Sequence, residues 1–163
     1  MRLLAAQFPP DRVFWTVVQS PVGELAIGKT GKGEVCRIAF LCGNAVKDVI
    51  DRWASRWPKT EFRKDLKAVF CKDPDVLLVG SDFQQSVWRQ IAAIPCGKTR
   101  TYGQLAKNIG KPKAVRAVGT ACGANPVPFL IPCHRVVGAN DLGGFSGGLG
   151  LKEKLLKSEA VLR

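Results

Sequence analysis

The sequence predicts an α+β fold in two parts. A small sheet-plus-helix domain spans residues 1–80, and a mainly helical domain with a winged-helix-like helix-turn-helix spans residues 81–163. Three observations predict it. Apolar residues alternate between residues 12 and 41, the period of strands. Two Ser/Thr-x-x-Gln capping boxes, at Ser81 and Thr101, open helical patterns in the second half. The charge pattern also changes: from Phe83 to Asn140 there is no Asp or Glu. A chain of 163 residues, 46% of them apolar, suits one or two small domains with an adequate core.

In the first part, Val13, Trp15 and Val17 alternate with Phe14, Thr16 and Val18. Ser20-Pro21-Val22-Gly23 reads as a turn, and Leu25-Ala26-Ile27 continues the sheet. The turn Gly28-Lys29-Thr30-Gly31-Lys32-Gly33 lacks phosphate-loop spacing and reads as a hairpin. Val35 to Leu41 alternates again. From Asn44 to Trp57, Val46, Val49, Ile50, Trp53 and Trp57 recur at helical spacing, and Pro58 ends the run. Both tryptophans read as core. Residues 59–80 carry a weaker pattern, with a turn at Asp73-Pro74-Asp75 and a short apolar run at Val76-Leu77-Leu78-Val79.

The second part opens on a helix whose stripe is Phe83, Val87, Trp88 and Ile91, broken at Ile94-Pro95-Cys96-Gly97. A short helix follows from Thr101 through Leu105 and Ile109, stopped by Gly110. Pro112 suits the first turn of the next helix, which runs through Val115, Arg116, Val118 and Cys122. Two helices joined by a tight turn in a basic setting predict a helix-turn-helix. The second of them carries small residues, Ala114, Ala117, Gly119, Ala121 and Gly123, with Arg116 among them. A major-groove reader would carry Asn, Gln or several Arg instead. Small residues serve either close approach to a groove or close packing within the domain. A glycine-rich loop, Gly138 to Gly150, and a final helix with Leu151, Leu155 and Leu156 on one face complete the chain.

The net charge is +12, and the acid-free interval holds eight basic residues, including Lys98, Arg100, Lys111, Arg116 and Arg135. A surface normally mixes signs. An interval without carboxylates suits a face that must approach phosphate. The six cysteines, Cys36, Cys42, Cys71, Cys96, Cys122 and Cys133, form no Cys-x-x-Cys pair, and there is one histidine, so a zinc-finger spacing is absent. Scattered thiols suggest a reducing compartment. No signal-peptide or membrane-spanning pattern is present, which predicts a soluble intracellular protein, cytoplasmic or, in a eukaryote, nuclear.

The chemistry concentrates in Asn125-Pro126-Val127-Pro128-Phe129-Leu130-Ile131-Pro132-Cys133-His134-Arg135-Val136. Three prolines stiffen this run, and Phe129, Leu130 and Ile131 are expected in the core. It delivers a thiol, an imidazole and a guanidinium to one place. Most free cysteines are small core residues; a thiol becomes a nucleophile only once deprotonated. His134 is the only imidazole able to take that proton. Adjacent residues do not share a face, so a bridging water is expected between the two side chains. The acid that would orient His134 is Asp141, Glu153 or Glu159, and spacing does not choose among them.

The run Pro132-Cys133-His134-Arg135-Val136, with Asn125-Pro126 before it and Gly144-Phe145-Ser146-Gly147-Gly148 after it, resembles the active site of the O6-alkylguanine-DNA alkyltransferases. The likeness runs from about Phe83 to Glu159 and is weaker around Ser20-Pro21-Val22-Gly23-Glu24-Leu25. It implies DNA repair without a cofactor: one irreversible transfer of an alkyl group from O6-alkylguanine, and from O4-alkylthymine, to Cys133 after base flipping. The implied partner is double-stranded DNA, bound by a monomer through the minor groove with low sequence specificity. Arg116 would enter the base stack, with Ala114, Ala117, Gly119 and Arg135 counted among the DNA-binding residues. Glu159 would be the acid behind His134, and Asn125 would tie the recognition helix to the active-site loop. Tyr102 would donate its hydroxyl to the guanine ring. The carbonyls of Cys133 and Val136 would meet the exocyclic amine, Ser146 would reach O6, and Pro128 would line the pocket. Two departures stand out. Phe145 replaces the tyrosine of many relatives, and the histidines of the zinc site that some relatives carry are missing.

Two other classes compete. A lesion-binding module without chemistry would replace the reactive cysteine, which this chain keeps. A Cys-His hydrolase would have no use for the acid-free basic interval.

Overall fold

A computed structural model describes residues 1–65 and 73–161; Cys71 lies outside them. The chain forms two compact units, Met1–Gly80 and Ser81–Arg163.

The first unit is a six-stranded sheet with one helix. In chain order it comprises β1 (Leu3–Ala6), β2 (Arg12–Ser20), β3 (Gly23–Thr30), β4 (Val35–Phe40), α1 (Val46–Arg56), β5 (Glu61–Lys64) and β6 (Val76–Val79), and the strand order is β1-β6-β4-β3-β2-β5. The alternating residues 12–41 form the antiparallel meander β2-β3-β4. The Ser20–Gly23 turn closes its first hairpin, with Gly23 at φ 109° and the Ser20 hydroxyl donating to the Gly23 carbonyl at 2.6 Å. β1 and β5 were not legible as strands: each has four residues and joins the sheet by a parallel pairing with a distant segment. Val49 and Trp53 of α1 pack on Ala26 and Leu41. Gly28 permits this approach, because a Cβ there would lie 2.8 Å from Val13 and 3.3 Å from the Trp53 ring. Arg37 is buried in the same unit, its guanidinium 3.8 Å above the Trp57 ring, and desolvation followed by the charge of Arg56 lowers its pKa to about 10.

The second unit contains α2 (Asp82–Ala92), β7 (Arg100–Thr101), α3 (Tyr102–Asn108), α4 (Val115–Gly123), a 3-10 turn at Cys133–Arg135, β8 (Val136–Val137) and α5 (Leu149–Ser158). Both capping boxes form. Ser81 accepts from the Gln84 amide while Gln84 returns a bond to the Ser81 backbone, and Thr101 and Gln104 repeat the arrangement. Gly110 follows α3 at φ 71°, where the chain turns towards α4. Trp88 of α2 is 1% exposed, and its indole N–H donates to the Ala121 carbonyl at 2.8 Å, locking α2 against α4. Parallel pairing of β7 with β8 brings the start of α3 beside the end of the 3-10 turn.

Three expectations need correction. Pro112 does not open α4, which starts at Val115 with Ala114 as its N-cap; Pro112 lies in the preceding turn. Phe129 is exposed rather than in the core, and takes φ 80°, which swings its side chain off the apolar run. The glycine-rich loop ends earlier than its composition suggested, because Leu149 and Gly150 already belong to α5.

Candidate active site

Cys133 opens the 3-10 turn and is 5% exposed. It lines a cavity of about 190 Å³ together with Tyr102, Gly119, Cys122, Gly123, Gly144, Phe145 and Ser146. Asn125 lies just beyond α4. Its amide nitrogen donates to the Cys133 Sγ at 3.1 Å and to the Ile131 carbonyl at 2.8 Å, and its Oδ1 accepts from the Val127 amide at 3.1 Å. One side chain therefore joins the end of α4, the proline-rich run and the thiol. Desolvation pushes the Cys133 pKa up, while the Asn125 hydrogen bond and the Lys152 charge oppose it. The resting group is a thiol held where a thiolate would find a donor.

His134 is 2% exposed. Its Nε2 lies 2.9 Å from Oε1 of Glu159, the residue that caps α5. Of the three candidate acids, this is the one hydrogen-bonded to the imidazole. Arg135 grips the same carboxylate in a fork, Nε to Oε2 and Nη2 to Oε1, both at 2.8 Å, and its Nη1 donates to the Ile94 carbonyl at 2.6 Å. Desolvation pushes the Glu159 carboxyl up, but the hydrogen bonds from Arg135 and His134 outweigh it and hold the pKa at about 2. An ionised carboxylate at Nε2 fixes the proton on that nitrogen and leaves Nδ1 as the base. Nδ1 is buried with no hydrogen-bond partner among the described residues. Desolvation lowers the His134 pKa, with the charges of Arg135 and Lys152 adding to it and Glu159 opposing it. Both shifts favour the uncharged forms, thiol and imidazole.

The guanidinium of Arg135, a residue expected to bind DNA, is engaged by Glu159 and Ile94. The signal was invisible locally because these partners lie 24 and 41 residues away.

Tyr102 is the first residue of α3, and Thr101 caps that helix. Gly143 sits against its hydroxyl: a Cβ at Gly143 would lie 2.7 Å from the phenol oxygen. Desolvation, then the Cys122 and Cys133 thiols, raise the Tyr102 pKa against a backbone hydrogen bond from Gly144. The phenol thus keeps its proton as a donor at the cavity wall. Phe145 meets the His134 ring edge-on, with centroids 6.4 Å apart.

The small residues of α4 do not share one face. Arg116 and Ala117 are exposed, Ala121 is buried in the core, and Gly119 and Gly123 face the cavity. Pro128 and Val136 are buried but are not among the cavity walls. The Val136 carbonyl accepts from Lys152 at 2.6 Å. Lys152 is the site residue that the sequence did not reveal, since a lysine in an amphipathic helix reads as solvated. It is fully buried.

Among the described residues, no helix is long and apolar enough to cross a membrane.

Comparison with known proteins places the chain in a family. The family model described as the DNA binding domain of 6-O-methylguanine DNA methyltransferase matches residues 82–161. The methylated-DNA–protein-cysteine methyltransferase of Methanosarcina acetivorans is 40% identical over 157 residues, covering 90% of this chain and 98% of the relative. The Salmonella typhimurium protein of that name is 52% identical over 84 residues, 51% of this chain and 49% of its own. The crystal structure of Mycobacterium tuberculosis OGT in complex with DNA matches with a TM-score of 0.72 at 33% identity, covering 90% of this chain and 92% of that one. The O6-methylguanine-DNA methyltransferase of Pyrococcus kodakaraensis matches at 0.57 and 25% identity, over 91% of this chain and 99% of that one. A cysteine on a cavity wall, a neighbouring imidazole hydrogen-bonded to a carboxylate and relatedness along nine-tenths of the chain lead to one conclusion: the chain belongs to the methylated-DNA–protein-cysteine methyltransferase family.

Proposed function

We propose that this protein repairs duplex DNA by moving the alkyl group of O6-alkylguanine, and of O4-alkylthymine, irreversibly onto its own Cys133. The observation that carries this reading is Cys133 on the cavity wall, its sulfur held by Asn125 and the neighbouring His134 hydrogen-bonded to Glu159.

The chemistry follows from those positions. The thiol proton passes to Nδ1 of His134 through a solvent molecule, since the two side chains make no direct hydrogen bond. Glu159 stabilises the imidazolium that forms. The thiolate attacks the alkyl carbon, the carbon–O6 bond breaks, and the electron pair stays with guanine. Tyr102, a protonated phenol at the cavity wall, donates to the guanine ring as that charge appears. Ser146 supplies a hydroxyl to O6, and Phe145 gives an aromatic wall without the hydroxyl of a tyrosine. Asn125 keeps the thiol in register with α4.

The target base must leave the stack to reach Cys133. Arg116, exposed on α4 and free of any ion pair among the described residues, fills the gap it leaves, with Ala114, Ala117 and Gly119 permitting minor-groove approach. The carboxylate-free interval from Phe83 to Asn140 supplies the phosphate contacts. Binding is therefore weak in sequence preference and falls steeply with salt. The protein acts as a monomer inside the cell.

Incubation with duplex DNA carrying O6-methylguanine, followed by peptide mass mapping, tests the proposal. One added methyl group on Cys133 is expected. Lesion binding without mass gain would mean a binding module instead, and repeated turnover of a peptide ester would mean a hydrolase.

A further inference from the structure

Lys152 lies in the first turn of α5 and is 0% exposed. Its ammonium donates to three backbone carbonyls: Val136 at 2.6 Å, Gly144 at 3.3 Å, and Leu142. These acceptors belong to two separate segments, β8 directly after the 3-10 turn and the loop that forms the cavity rim. Among the described residues no carboxylate pairs with it. A buried ammonium without an anion is costly, and an apolar side chain would fill the space at less expense. Three carbonyl dipoles offset part of that cost, and every donor of the ammonium is used.

The charged and titratable groups facing Lys152 come from each element packed around it. Cys133 and His134 lie on the 3-10 turn, Cys122 on α4, and Asp141 on the loop. A positive charge among two thiols and an imidazole favours thiolate and disfavours imidazolium. Desolvation lowers the Lys152 pKa, and the two thiols and Asp141 counteract this. The same rim segment places Gly143 against the Tyr102 hydroxyl.

We propose that Lys152 is a positioning residue for alkyl transfer, pinning the cavity rim to β8 and presenting the fixed positive charge against which the Cys133 thiolate forms. The inference rests on the transfer reading above. It assigns two jobs to one side chain: the carbonyl bonds set the rim geometry, and the charge sets the ionisation of the nucleophile.

The test compares the full chain with K152M, K152Q and K152R. Glutamine keeps N–H donors for the carbonyls without the charge; arginine keeps the charge. Modification of Cys133 by iodoacetamide, followed by peptide mapping across a pH series, reads the thiolate directly and needs no alkylguanine. Transfer from free O6-benzylguanine is measured in parallel, and thermal melting reports folding. The midpoint for Cys133 modification is expected to move to higher pH in K152M and K152Q and to return towards wild type in K152R. Transfer near neutral pH should fall at least tenfold in the neutral variants and recover as pH rises. If K152M does not fold, K152Q decides. An unchanged midpoint in a folded neutral variant, or an equal shift in K152R, would overturn the proposal. A wild-type protein that never accepts an alkyl group would instead refute the repair reading, while the iodoacetamide midpoints would still report the Lys152–Cys133 coupling.

Discussion

Nε2 of His134 lies 2.9 Å from Oε1 of Glu159, and both oxygens of that carboxylate are also taken by Arg135. Glu159 thus stays ionised and in place while His134 changes charge. In the transfer proposed above, His134 takes the thiol proton against this fixed carboxylate, and several expectations follow from it.

Glu159→Gln should slow transfer by about 100-fold or more, the scale of a lost general-base contribution, while DNA affinity stays near wild type. Asp141→Asn and Glu153→Gln are the comparisons. Single-turnover rates on methylated duplex measure this. A larger loss from either comparison variant would remove Glu159 from its role.

The same pair makes a pH prediction. The folded pKa of Glu159, about 2, lies below its ordinary value of 4.5, so its stabilising contribution is complete above 4.5 and is lost as pH falls from there through about 2. His134, whose pKa is also lowered, acts in the same direction: stability is lost as pH falls below the ordinary imidazole range. Denaturant midpoints across that acid range should fall more steeply for wild type than for Glu159→Gln. Parallel curves would contradict the assignment.

Arg116→Ala should separate two substrates. Flipping a base costs a few kcal/mol, and each 1.4 kcal/mol is about tenfold. Repair of duplex DNA should therefore fall at least about tenfold, while reaction with free O6-benzylguanine stays close to wild type. Equal losses on both would refute the stack-filling role.

Gly143→Ala should act through Tyr102. A Cβ at this position meets the phenol oxygen at 2.7 Å and Cε2 at 2.8 Å, and the backbone φ of 65° is unfavourable for alanine. A loss of about 1–2 kcal/mol in stability, with slower transfer from the free base, is expected from melting and rate measurements. An unperturbed rate would mean that Tyr102 does not need its present place.

Local signals and distant ones differ in what they reveal. Ser81 with Gln84, and Thr101 with Gln104, were legible because a capping box is complete within four residues. The meander was legible because each strand carries its own alternation. β1 was not, since its four residues become a strand only by pairing with β6, more than 70 residues later. Cys133 and His134 were legible as chemistry from their types and neighbours. The choice of Glu159 came from a family likeness, and hydrogen bonds rather than spacing join it to His134. The guanidinium of Arg135 was legible as near the thiol, but its partners Glu159 and Ile94 were not; Lys152 reads as solvated in an amphipathic helix, and only folding brings it to three carbonyls.

The central claim is a single irreversible transfer to Cys133. A thioether has no easy leaving group, unlike an acyl-enzyme. The decisive measurement is product formed against protein added, with methylated duplex in excess. A burst equal to the protein concentration, followed by no further product and abolished in Cys133→Ala, is the predicted result. Continued product formation well beyond one equivalent would contradict it.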